Sequence, residues 1–70
     1  MLLKAIVTRE SIRVGSATSQ SFQFDNNLIE LDLKARLISI TPKRGVFPTT
    51  ICPMENVAYF IELDLTDKIK

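Results

Sequence analysis

The sequence predicts a small all-β domain, and three observations carry that expectation. Turn-forming residues (Gly15-Ser16, Asp25-Asn26-Asn27, Pro42-Lys43-Arg44-Gly45 and Cys52-Pro53) cut the chain into segments of strand length. Several of those segments alternate apolar with polar side chains, the period of a half-buried strand. The chain has 70 residues, 46% hydrophobic and 24% charged, which suits one ordered domain and leaves no room for a second core. We therefore expect a single domain over residues 1–70, a small barrel or β-roll of about five strands with one short 3₁₀ turn near residues 53–56.

Residues 2–14 are β-branched and aliphatic and read as one strand, or as two joined by a kink near Arg9-Glu10. Residues 15–21 are small and polar and read as a mobile loop. In Ser21-Phe22-Gln23-Phe24-Asp25 the phenylalanines alternate with polar residues, as a half-buried strand requires. Asp25-Asn26-Asn27 is turn chemistry, because Asn and Asp tolerate left-handed backbone angles.

Residues 28–40 admit two readings. As strands, Ile29, Leu31 and Leu33 lie opposite Glu30, Asp32 and Lys34, and after Arg36 the phase changes, with Ile38 and Ile40 flanking Ser39. That pattern describes a hairpin turning at residues 33–35. As a short helix, Asn27 and Glu30 have capping-box spacing, while Glu30/Lys34 and Asp32/Arg36 are oppositely charged pairs four residues apart. We favour the hairpin.

Thr41-Pro42-Lys43-Arg44-Gly45 has proline and glycine placed for a turn. Residues 46–52 are β-branched but interrupted by Pro48, which suits an edge strand or a bulge. Pro53 opens a single helical or 3₁₀ turn over residues 53–56. In the last strand, residues 57–65, Val57, Tyr59, Ile61 and Leu63 fall on one face and Ala58, Phe60, Glu62 and Asp64 on the other. The end from Thr66 is expected to fray. Phe22, Phe24, Tyr59 and Phe60 are the expected aromatic core, with Cys52 a buried strand cysteine that packs as a small hydrophobe.

The inventory argues against an enzyme. The chain has no histidine, so the commonest general base and metal ligand is missing. One cysteine closes no intrachain disulfide, and it builds no structural zinc site without further ligands. Gly15 and Gly45, the only glycines, stand alone and make no phosphate-cradling loop. Carboxylates such as Glu30 and Asp32 fall on one strand face, where solvation is the ordinary role. No cofactor, metal or small-molecule substrate is expected. The longest apolar run, Val57-Ala58-Tyr59-Phe60-Ile61, is too short to span a bilayer. The first residues carry Lys4 and Arg9 without a leader pattern, so a cytoplasmic protein is expected.

Charge placement says more than the net charge of +1. Between residues 33 and 53 the charges are Lys34, Arg36, Lys43 and Arg44, all basic; between 54 and 67 they are Glu55, Glu62, Asp64 and Asp67, all acidic. The basic group is a candidate strip for phosphates, extended by Arg9 and Arg13. Its plainer reading is a solubilising tip with surface ion pairs to Glu30 and Asp32, worth about 0.2–1 kcal/mol each. Phe47 follows the Lys43-Arg44-Gly45 turn and is either a core residue or an aromatic anchor in a partner interface. The opposed charge blocks and the lack of staples in so short a chain point to a homo-oligomer. Protein, including a second copy, is the expected partner, with nucleic acid as the alternative.

Thr50-Ile51-Cys52-Pro53-Met54-Glu55-Asn56-Val57-Ala58-Tyr59-Phe60 resembles the end of an SH3-like barrel. There a strand ends in a Pro-x-x-Asn-type turn and the closing strand follows at once. The resemblance implies a scaffold rather than an activity. Peptide-binding members also carry an aromatic-rich N-terminal motif, an acidic loop and a tryptophan. This sequence has no tryptophan, no tyrosine in its first strand and no acid in residues 15–21, so Pro-rich ligands are not expected. In size, and in the run from Arg36-Leu37-Ile38-Ser39-Ile40 to Asn56-Val57-Ala58-Tyr59-Phe60, the chain is also similar to small β proteins of tailed phages and mobile elements. That likeness implies an accessory or host-interacting role.

Overall fold

Ile6, Thr8, Ile12 and Val14 recur at even spacing, and they turn to the core from one long strand, β1 (Leu3–Val14). The computed structural model describes residues 3–62. After β1 come β2 (Ala17–Gln23), β3 (Asn27–Asp32), β4 (Leu37–Pro42), β5 (Thr50–Pro53), a 3₁₀ turn (Met54–Asn56) and β6 (Val57–Glu62). The fold is all-β, with six strands where the sequence suggests about five. They form two antiparallel three-stranded sheets, β2-β1-β6 and β3-β4-β5, and not a closed barrel. Expectations for Leu63 to Leu65 and for the fraying end lie outside the described residues.

Both sheets contribute to one core. Ile6, Val14 and Phe22 from the first meet Ile38 and Ile40 from the second, with Ile12, Phe24, Ile29, Met54 and Val57 packed around them. The central strands supply most of it, because β1 and β4 have a neighbour on each side. Cys52 is buried and free, as expected.

Residues 28–40 are the hairpin and not the helix. Ile29 pairs with Ile40 and Leu31 with Ile38, so these four share the inward face, while Glu30 and Ser39 pair on the other. The connection spans residues 33–36, which leaves Leu33 exposed. Asp32 Oδ1 accepts the Ala35 N–H at 3.1 Å, a side-chain closure typical of Asp at a turn.

Two expectations need correcting. Residues 15–21 are not a loop. Gly15-Ser16 is a two-residue hairpin turn, with Val14 opposite Ala17, and the polar residues after it form β2. Gly15 sits at φ +64, the first-position geometry that glycine supplies in such turns. Backbone pairing to β1 holds a sequence of Ser, Thr and Gln in a strand despite its low apolar content. Second, the strand expected within residues 46–52 is confined to β5, and residues 43–49 connect β4 to it irregularly.

The kink expected near Arg9-Glu10 is a bulge in β1, where pairing with β2 shifts between Val7 and Ile12. A bulge leaves backbone groups unpaired, and three side chains take them up. Thr8 Oγ1 donates to the Glu10 carbonyl at 2.7 Å, and Gln20 Nε2 donates to the Arg9 carbonyl at 2.8 Å. Asn56 accepts the Glu10 N–H on Oδ1 at 3.0 Å and returns Nδ2 to the Glu10 carbonyl at 3.3 Å. Thr8 is a buried polar residue, and among the described residues no buried side-chain nitrogen or oxygen lacks a partner.

Candidate interaction surfaces

The four basic candidates occupy both ends of β4. Lys34 and Arg36 lie in the 33–36 turn, whereas Lys43 and Arg44 follow Pro42 at the far end. Six residues of strand at about 3.3 Å each put roughly 20 Å between the pairs. The structure thus brings Lys43, Arg44 and Phe47 to one end of the molecule and leaves Lys34 and Arg36 at the other. They do not make one continuous strip.

Arg36 has a second property. Its φ is +58, which places a non-glycine residue in the left-handed region. That conformation costs about 1–2 kcal/mol for a residue with a Cβ. It is held by the turn and by the Met54 N–H, which donates to the Arg36 carbonyl at 2.9 Å. Arg36→Gly is therefore expected to raise stability by up to about 1 kcal/mol, the relief being offset in part by glycine's freer unfolded chain. Urea denaturation of the two proteins measures it; a loss of stability would mean that the arginine side chain itself holds the turn.

Phe47 is not a core residue, and its ring is partly held by its neighbours. Its ring lies against two glycines. A Cβ on Gly45 would come 2.9 Å from Phe47 Cε2, and one on Gly15 would come 3.4 Å from Phe47 Cγ and 3.0 Å from Pro42 Cγ. Gly45 also has φ +78, so bare backbone is needed there on both counts. The ring ties the 43–49 segment to the β1–β2 turn and stays 39% exposed. Its open side lines a shallow groove of about 440 Å³ with Ser19, Gln23, Asn26 and Pro42, and among the described residues no charged side chain borders it. Lys43 and Arg44 flank Pro42 beside Asp25 and Asn26.

A further surface was expected to be core. Tyr59 is 57% exposed, and Phe60 and Ile61 are each 38% exposed. The cause is a register change in β6. Val57 pairs with Thr8 but Tyr59 pairs with Val7, so Ala58 is an extra residue and the alternation slips by one. Val57 consequently packs on the core. Phe60, opposite Ile6, faces the same side at the rim, and Tyr59 and Ile61, opposite Val7 and Ala5, face outward. The sequence signal for this surface is the longest apolar run of the chain, residues 57–61.

The outer face of the second sheet also exposes Leu28, Leu37 and Ile51. There the apolar side chains are broken up by Glu30, Asp32 and Ser39, which the pairing places on the same face.

No protein-family model, no curated protein and no solved structure matches the chain. Among the described residues no helix is long and apolar enough to cross a membrane.

Proposed function

We propose that this chain is a non-catalytic binding module that works through contact with protein, a second copy of itself included. The observation that carries the reading is the amount of apolar side chain left on the surface. Tyr59, Phe60, Ile61, Phe47, Ile51 and several leucines are exposed while a short set of residues forms the core. Large exposed apolar patches mark interaction surfaces. Aromatic side chains, as at Tyr59, Phe60 and Phe47, are the types that dominate interface energies.

An SH3-like scaffold is part of the proposal. Its support is the element order: the 3₁₀ turn between β5 and β6, followed at once by β6 returning to pair with β1. A cytoplasmic accessory protein of the kind tailed phages encode is the setting we propose, and the single free, buried thiol suits a reducing compartment.

Nucleic acid is the rival partner, and anisotropy with labelled duplex DNA and single-stranded RNA at low and moderate salt separates the two. No retention at either salt is the expected result. Salt-sensitive retention abolished in a Lys43→Ala/Arg44→Ala variant would replace the protein reading, because released counterions are the mark of phosphate contact.

A further inference from the structure

The two sheets have four edge strands, β2, β3, β5 and β6, and three of them carry features that discourage pairing. β2 is polar, with Thr18, Ser19, Gln20 and Ser21; β3 carries Glu30 and Asp32; β5 has four residues and ends in Pro53, with Pro48 just before it. Polar and charged side chains, short length and proline are the usual guards of an edge. From Val57 to Ile61, β6 has none of these, and its one irregularity is the extra residue at Ala58. Among the described residues no strand pairs with its outer edge.

An open edge presents a row of N–H and C=O groups with which a further strand can pair in place of water. The apolar side chains narrow the choice. Tyr59 and Ile61 stand on one face of β6 and Phe60 on the other, so the incoming strand must bring apolar residues to both faces. A second copy of β6 meets both requirements. We propose that β6 pairs antiparallel with β6 of a second copy, joining two three-stranded sheets into one of six strands. The proposal rests on the protein-binding reading above and names its partner.

The geometry is restrictive. A two-fold axis perpendicular to the sheet keeps opposed residues on one face and sets one residue of β6 opposite its own copy. We place Tyr59 or Phe60, the two aromatic residues at the middle of the strand, in that position. In the first case Glu62 lies opposite Asn56 of the partner subunit, and in the second opposite Ala58 of the partner subunit. Glu62 is the one charged residue of β6, so neither register sets like charges against each other.

Sedimentation velocity of the full chain, from low to high micromolar concentration, tests the pairing. The mass is expected to rise from 7.9 kDa toward twice that value. Tyr59→Lys, checked for folding by circular dichroism, should weaken association by at least about tenfold. Tyr59→Cys and Phe60→Cys, made singly, decide the register. Mild oxidation should give a disulfide-linked dimer for whichever residue sits on the axis, and none for Val46→Cys in the exposed 43–49 segment. If Tyr59→Lys fails to fold, the cysteine variants decide alone. A monomer at every concentration would overturn the proposal. So would a dimer that Tyr59→Lys leaves intact and neither β6 cysteine captures; association would then use another surface, and the protein-binding reading would stand. The nucleic-acid measurements bear on that reading separately.

Discussion

Ile38→Ala is expected to remove about 2–5 kcal/mol of stability. A chain of this size has about 4–10 kcal/mol in total, so the variant should lose between roughly a fifth of its stability and all of it. Ile38 has 0% exposure. It lies in β4, the central strand of its sheet, between Leu31 on β3 and Cys52 on β5, and belongs to the one buried cluster formed with Ile6, Val14, Phe22 and Ile40. Truncation there removes both the transfer energy of the lost methyl groups and the contacts around the cavity left behind. A core assembled from so few residues has little freedom to collapse into that space. Ile51→Ala provides the contrast, because Ile51 sits on the same sheet but faces outward at 54% exposure; its cost should stay near about 0.5 kcal/mol. Urea midpoints of the three proteins measure the difference. Equal losses at the two positions would show that the inward and outward faces of the second sheet are wrongly assigned.

Asn56→Ala should be the next most damaging change, at about 0.5–1.5 kcal/mol. Asn56 closes the 3₁₀ turn and exchanges two hydrogen bonds with the backbone of Glu10, a residue 46 positions away. It therefore imitates a strand neighbour at the point where the bulge has taken β1 out of regular pairing. Its Nδ2 also lies 3.7 Å from Cys52 Sγ, which ties β5 to the same junction. Alanine leaves the Glu10 N–H without its protein acceptor. Asn56→Asp keeps an acceptor for that N–H but replaces the donor with a carboxylate beside the Glu10 carbonyl, so an intermediate loss is expected. Amide hydrogen exchange locates the effect: protection at Glu10 should fall in Asn56→Ala before protection in β4 does. Unchanged exchange at Glu10 would mean that the bulge holds its shape without the asparagine.

The surface candidates were legible to different degrees. Lys34, Arg36, Lys43 and Arg44 stand out as the basic half of a divided charge pattern, yet β4 sets the two pairs apart along its length. Phe47 stands out as an aromatic beside a turn; its seat between Gly15 and Gly45 depends on two turns that are 30 positions apart in the chain. The exposed aromatic pair of β6 was expected inside, since Tyr59 and Phe60 are ordinarily core residues in a chain without tryptophan.

By itself the sequence determined the all-β class, one helical or 3₁₀ turn after Pro53 and the burial of Cys52, and it favoured the hairpin over residues 28–40 above a short helix. All of these are local: each follows from turn residues or from a two-residue period that neighbouring side chains establish. Tertiary structure decided what locality leaves open. Ser, Thr and Gln of β2 form a strand because β1 offers them backbone partners. Which side chains of β6 turn inward was set by one extra residue at Ala58, opposite the Val7–Thr8 step, which puts Val57 and Phe60 on one side of the sheet and Tyr59 and Ile61 on the other. A bulge is a property of two paired strands, and β1 and β6 meet only once the chain has folded.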